Sequence, residues 1–290
     1  MKPLIILLTS QKYRDAPYED DLLLKQRLET LNCHAEIVAW DDADYPFENA
    51  DLAVVRSCWD YHLRPEEYVQ KIRRISSKVR LLNSADEIEK YASKHYLNEL
   101  AAAGINTVQT VFCKTVDQVL AAADALGAER LVLKPAISAS GENTHLLSRN
   151  DKQAVTQAAN SVFALQDELL LQPFINSVQT RGERSSVVIA GEALFTMCKT
   201  PAKGGFLVHE HHGGQYIQTE ISQAEQDFLT QIGKQFPIPP LYMRVDYLQG
   251  DAGQPLLLEL ELNEPNLYLA RSPILLDKLS RKISAIVRDG

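Results

Sequence analysis

Two late segments, Arg244-Val245-Asp246 and Glu259-Leu260-Glu261-Leu262-Asn263-Glu264-Pro265, narrow the folds open to this chain more than any other feature. Both alternate polar with apolar residues, the period of a β-strand with one buried face. On that period Arg244 and Asp246 point the same way, as do Glu259, Glu261 and Asn263. A glycine-containing turn joins the stretches 241–248 and 255–262, so the two predict a hairpin in which Asp246 can lie opposite the acidic row. Like charges on one sheet face repel unless a cation sits among them. Carboxylate and amide oxygens grouped this way suit Mg²⁺, and Arg244 beside them suits a phosphate oxygen. A solvated edge strand with a charged outer face would carry the same pattern.

Upstream the rhythm is β-α-β-β-α-β: strands over 3–9, 35–40, 51–55 and 80–82, helices over 20–32 and from Pro65. This predicts a small sheet, parallel in part, with helices packed on it. Ser84 and Glu87 have capping-box spacing, so a boundary is set near residue 84, dividing the chain into 1–84 and 85–290. A helix over 92–103 ending at Gly104, a strand over 107–113, a helix from Thr115 to Gly127, a strand over 130–134, a helix over 151–164 capped by Asn150 and a strand over 169–175 follow. Residues of about 105–172 read as a mobile lid. Beyond them come a hairpin turning at Ala190-Gly191, a helix starting at Ser222, the late hairpin and a last helix over 275–288.

The net charge of −8 argues against nucleic acid or an anionic membrane as partner. The opening run Leu4-Ile5-Ile6-Leu7-Leu8 is too short for a membrane span or a signal-peptide core and reads as a buried strand. Cys33, Cys58, Cys113 and Cys198 match no zinc spacing and read as reduced thiols of a cytoplasmic protein. A homodimer is the default expectation for oligomeric state.

No P-loop and no G-x-G-x-x-G fingerprint occurs, so a nucleotide must be held in another way. Lys94 and Lys134 can each reach a phosphate as a point charge, Lys134 from the exit of an apolar strand; each is equally a lysine snorkelling at the surface. Ser138, Ser140 and Gly141 form a small-residue loop whose amides can approach phosphate, or a plain turn. Gln172-Pro173-Phe174-Ile175 ends an apolar strand and can border an adenine ring. Glu183, Arg184 and Lys199 flank the first hairpin, and either cation can meet a phosphate or a substrate carboxylate. The glycine-bounded loop 203–214 carries His209, Glu210, His211 and His212 and reads as an active-site cover rather than a zinc site, since no regular scaffold sets its geometry. Arg56, Ser57, Trp59, Asp60 and Tyr61 follow a predicted strand at its carboxyl end, where α/β sheets bind ligands; an interdomain packing turn is the alternative.

The order of these pieces resembles the ATP-grasp superfamily, glutathione synthetases and ribosomal-protein glutamate ligases among them. It is similar in more detail to the cyclo-ligases of cycloserine biosynthesis through the stretches 56–61 and 257–265. The resemblance implies an ATP-grasp fold of the α/β class behind a Rossmann-like pre-ATP-grasp domain. It implies ATP and Mg²⁺ as cofactors and a small amino-acid-like substrate activated as an acyl phosphate for a nitrogen nucleophile. Lys94 and Lys134 would contact ATP phosphates, and Gln172 to Ile175 would hold adenine. Asp246, Glu261, Asn263 and, less centrally, Glu259 would carry magnesium, with Arg244 stabilising the transferring phosphoryl group. The family often has an acid where Gln172 stands. A regulatory nucleotide-binding module and a phosphotransferase that stops before ligation are the competing functions.

Overall fold

The computed structural model describes residues 2–289. The opening apolar run forms β1 (Leu4–Thr9), followed by α1 (Gln11–Asp15), α2 (Glu19–Thr30), β2 (His34–Ala39), β3 (Leu52–Val55), α3 (Pro65–Ser76), β4 (Leu81–Leu82), α4 (Ala85–Ala92) and α5 (Tyr96–Ala102). The strands lie in the order β2-β1-β3-β4 with every pairing parallel. Both sheet faces are covered, which is why β1 is apolar without alternation. Ile6, Leu8 and Val55 pack on Tyr68, Ile72 and Ile75 of α3, while Ile5, Leu7 and Val54 pack on Leu24 and Leu28 of α2. Ser84 caps α4 in the anticipated box with Glu87. The helix expected over 92–103 is broken: Ser93 is extended, and the Lys94 amide donates to the Ala136 carbonyl at 3.0 Å. That break turns the Lys94 side chain inward.

The middle of the chain supplies β5 (Val111–Cys113), α6 (Val116–Leu126), β6 (Arg130–Pro135), β7 (His145–Ser148), α7 (Lys152–Phe163), β8 (Leu169–Pro173) and α8 (Ser177–Thr180). Its four strands form an antiparallel sheet in the order β5-β8-β6-β7. One face buries Leu131, Leu133, Leu169 and Leu171 under Val119 and Ala123 of α6 and Val155 and Val162 of α7. The short strand β7 escapes sequence patterning because it pairs with β6 alone and none of its residues is buried. The cap of α7 is Asp151, whose carboxylate accepts the Ala154 amide at 2.9 Å, not Asn150.

The remainder builds β9 (Glu183–Ile189), β10 (Glu192–Thr200), β11 (Gln215–Thr219), α9 (Gln223–Gly233), β12 (Tyr242–Gln249), β13 (Pro255–Glu261) and α10 (Pro273–Asp289). The antiparallel order is β11-β10-β9-β12-β13. Ala190 and Gly191 both have positive φ, the geometry a two-residue hairpin turn demands. One sheet face carries Val188, Met243, Val245 and Tyr247 onto α9 and α5. At one end of the opposite face, Val187, Ile189, Phe195, Met197 and Tyr242 merge with the α2 core and with Leu275, Leu279 and Ile283 of α10. The other end of that face is polar and carries the site.

Two polar fastenings join the early and late parts. Asn83 donates to the carbonyls of Tyr242 (2.9 Å) and Leu262 (3.0 Å) and accepts the Leu241 amide (2.8 Å). Asp20, buried in the first turn of α2, accepts the amides of Leu269 (2.8 Å) and Ala270 (2.9 Å). These bonds fix the turn in which Tyr268 adopts positive φ.

Candidate active site

The register of β12 and β13 sets Arg244 opposite Glu261 and Asp246 opposite Glu259. Beyond Asp246 the pairing slips, with Tyr247 opposite Leu257. Leu258 is therefore an inserted residue, and this bulge keeps Leu257 on the core face while Glu259 and Glu261 turn to the other side. There they border a cavity of about 380 Å³ between the polar end of this sheet and the middle sheet.

The cavity wall is a network of opposed charges. Arg244 grips both oxygens of Asp246 (2.9 and 2.7 Å) and reaches Glu261 (2.5 Å). Ser185, opposite Asp246 on β9, donates to it at 2.5 Å. Lys199 on β10 pairs with Glu183 (2.5 Å) and lies 3.6 Å from Asp246. Lys94 binds Glu259 (2.9 Å) and the carbonyl and hydroxyl of Ser138 (3.0 and 3.1 Å). Burial works against the Asp246 carboxylate, but Arg244 and Lys199 outweigh it and hold the group well below the usual range. Glu259 is also held down against burial, by Lys94 and Lys134. Burial pushes Glu261 up to about 7 despite Arg244, with Asp246 and Glu259 adding to the rise. Burial raises Glu183 as well, against the pull of Lys199.

Lys134 is the exception. It is buried at the end of β6, lines the cavity and makes no ion pair among the described residues. Burial lowers its affinity for a proton. Asn263 is the other: it is 2 % exposed, lines the cavity, and neither side-chain amide atom has a hydrogen-bond partner among the described residues. A buried amide so placed is the donor and acceptor a bound group would satisfy. Among the described residues no three His, Cys, Asp or Glu side chains converge as a preformed metal cluster. The protein's own cations pair with the carboxylates; Glu261 at the end of β13, Asn263 just beyond it and Asp246 on β12 all line the cavity, and their oxygens are of the hard kind magnesium takes.

The remaining walls come from loops. Ser138, Ser140 and Gly141 line one side, and Gln172, Pro173, Phe174 and Ile175 another. Of these last four, the Phe174 amide is committed to the Arg130 carbonyl (2.9 Å) and Pro173 has none, so Ile175 has the amide left for a ligand. The 203–214 loop covers the cavity through Phe206, Val208 and His209. Gly141, at φ +70°, fits beneath it, since a Cβ there would lie 2.9 Å from the His209 ring. Burial pushes the His209 imidazole down to about 4, and Lys199 and Arg244 push the same way.

Four residues expected at the site lie elsewhere. Arg184 alternates with Glu183 on β9 and so faces away, pairing with Glu225 (2.8 Å) and the Glu220 carbonyl (2.7 Å). Arg56 and Ser57 are buried off the cavity, held by Asp21 at 3.2 and 2.5 Å. Asp60 turns away from the cavity and accepts from the buried Trp40 (2.9 Å). Trp59 and Tyr61 do line the cavity, and Trp59 donates to the Glu264 carbonyl at 2.7 Å. Sequence reasoning missed Tyr13, Tyr216, Asn266 and Tyr268, which complete this end beside Arg244. They come from three separate segments, α1 (Tyr13), β11 (Tyr216) and the stretch after β13 (Asn266 and Tyr268); the one signal available was the aromatic content of those segments.

With this geometry in hand, comparison with known proteins is informative. Residues 98–242 match the family model of the prokaryotic glutathione synthetase ATP-grasp domain, and residues 5–83 match that of the D-cycloserine synthetase DcsG N-terminal domain. The cycloserine biosynthesis protein DcsG of Streptomyces lavendulae is 25% identical over 269 residues, spanning 86% of this chain and 87% of that one. The crystal structure of D-cycloserine synthetase DcsG superposes with a TM-score of 0.87 at 20% identity, covering 98% of this chain and 99% of the other. The ATP-grasp ligase PsnB, solved with a phosphomimetic variant of its minimal precursor, Mg and ADP, superposes at 0.69 with 12% identity and 98% coverage of each chain.

Proposed function

Because this chain belongs to the ATP-grasp superfamily of ligases, we propose that it joins a carboxylate to a nitrogen nucleophile on a small amino-acid-like substrate, through an acyl phosphate, with release of ADP and phosphate. The observation that carries this is Lys134: a buried lysine that makes no ion pair among the described residues, facing a carboxylate row across a cavity. A triphosphate supplies a direct partner for it, and the row supplies the place for a counter-ion. Glu261 and Asn263, with Asp246, would hold Mg²⁺, which when bound neutralises phosphate charge.

The residues divide the work as follows. Lys94 and Lys134 bind the phosphates, and the Ser138–Gly141 loop brings main-chain amides to them. Gln172 to Ile175 border the base. Arg244 and Lys199 lie where negative charge develops on the transferring phosphoryl group, fixed in place before reaction by Asp246 and Glu183. The substrate carboxylate attacks the terminal phosphorus, breaking the bond to ADP; the nitrogen then adds to the acyl carbon and phosphate leaves. The 203–214 loop excludes water, which would otherwise hydrolyse the acyl phosphate. Trp59, Tyr61, Tyr216 and Tyr268 form an aromatic wall for the substrate. The likeness to DcsG favours a substrate whose carboxylate and nitrogen belong to one molecule, so that ligation closes a ring. A span of residues 85–290 as the catalytic unit, with a lid over about 105–172, and a cytoplasmic setting for the unpaired cysteines, belong to the same proposal.

The test is ADP release from MgATP across amino acids and their O-substituted derivatives, followed by trapping with hydroxylamine. A hydroxamate is expected. Release of AMP, or a phosphorylated product inert to hydroxylamine, would replace ligation by adenylation or by simple phosphotransfer. Tight ATP binding without turnover on any amino acid would favour a regulatory module.

A further inference from the structure

Gln172 and Thr110 sit at the two places where the chain crosses between the sheets. Just before Thr110, the Val108 amide donates to Leu257 of β13 at 2.9 Å, and just after it the chain enters β5. Gln172 lies near the end of β8, where the chain leaves the middle sheet again. A side-chain bond ties the crossings together: the Gln172 amide nitrogen donates to the Thr110 hydroxyl at 2.9 Å. The Thr110 hydroxyl spends its own proton on the Val108 carbonyl at 2.8 Å. A hydroxyl has one proton to give, so toward Gln172 it offers only a lone pair. While the hydroxyl proton stays on the Val108 carbonyl, the amide presents its nitrogen to Thr110 and keeps its oxygen free.

Gln172 is 1 % exposed yet lines the cavity, next to Pro173, Phe174 and Ile175. Resting on the ATP function proposed above, we infer that Thr110 is a positioning residue that locks the Gln172 amide oxygen as an acceptor for the base, so that the pocket selects 6-aminopurine nucleotides over 6-oxopurine ones. An exocyclic amino group donates to such an oxygen. A 6-oxo group sets acceptor against acceptor, and its ring N–H faces the Ile175 amide, donor against donor. An ionised acid at position 172 would accept in any orientation; an amide reads the base in one sense only while its partner holds it.

The experiment measures calorimetric binding of ADP and of inosine diphosphate, which differ at this edge, to the full chain with Mg²⁺. Wild type is expected to prefer ADP by at least about tenfold, the scale of an opposed rather than a made hydrogen bond. Thr110→Val removes the lone pair, frees the amide to turn over and is expected to bring the two affinities within about threefold. The gain should be in inosine diphosphate binding, which a merely damaged fold would not produce. Thr110→Ser keeps the hydroxyl and should keep the preference. ADP binding with an unchanged ratio in Thr110→Val, or wild type that binds both alike, overturns the inference and leaves the ATP function standing. Failure of wild type to bind ADP overturns both.

Discussion

The guanidinium of Arg244 grips both oxygens of Asp246, two positions along the same strand, at 2.9 and 2.7 Å. The fork is buried and also reaches Glu261, so one cation serves two acids that would otherwise repel. Breaking a buried pair by deleting one member costs more than the pair contributes, because the other charge is stranded. Arg244→Ala is expected to lower stability by about 3 kcal/mol and to reduce turnover by about a hundredfold or more. Thermal melting and ADP release measure the two effects, and addition of Mg²⁺ should recover part of the stability but none of the rate.

Asn263 predicts the opposite separation. Both atoms of its amide are buried without partners, so they contribute nothing to the fold in the absence of ligand. Asn263→Leu should leave the melting temperature unchanged or raise it, since an unsatisfied buried amide is replaced by a side chain of similar size. The Mg²⁺ concentration for half-maximal ADP release should rise by about tenfold. A large loss of stability with an unaltered magnesium requirement would remove Asn263 from the site.

His209 gives the covering loop a pH dependence. Burial and the nearby cations depress its folded pKa to about 4 from an ordinary 6.5. A base depressed on folding contributes its stability above the unfolded pKa and loses it as pH falls through the folded one. Docking of residues 203–214 is thus complete above about pH 6.5 and weakens toward pH 4. Protease cleavage within the loop should accelerate over that interval, and His209→Gln should flatten the profile.

Arg184 tests the side of the sheet on which chemistry takes place. It pairs with Glu225 beneath the sheet, away from the cavity. Arg184→Gln should cost about 1–3 kcal/mol of stability, because the buried Glu225 carboxylate loses its counter-charge and keeps only the neutral donors of Ser222 and Tyr247. Turnover of the folded variant should stay within a factor of about three, since nothing in the cavity changes. A hundredfold loss of rate at full stability would return Arg184 to the catalytic set.

The parts of this molecule that were legible in the sequence are those governed by local periodicity. Glu259 and Glu261 could be assigned to one face because a strand alternates whatever it packs against, and Ser84, Thr115 and Ser222 announce their helices by spacing alone. What was not legible depends on contacts between distant segments. Arg56 stands where a strand end usually meets ligand, but Asp21, thirty-five residues earlier, claims it. That both Asp20 and Asp21 face inward breaks the expectation that acids in a first helical turn are solvated. The bulge at Leu258 leaves no mark in the composition, yet without it the acidic row would face the core. Tyr13 shares a wall with Asn266 and Tyr268 only because the fold brings α1 beside a segment more than 250 residues later.

The brace from Asp20 to the amides of Leu269 and Ala270 bears on how the protein is made. A ribosome delivers α2 long before the segment it must hold, so the emerging polypeptide carries the Asp20 carboxylate with no amides to meet it. The wall that presents Tyr268 cannot be erected until the segment around residues 266–270 has been made. A polypeptide that lacks this segment therefore cannot close that side of the cavity.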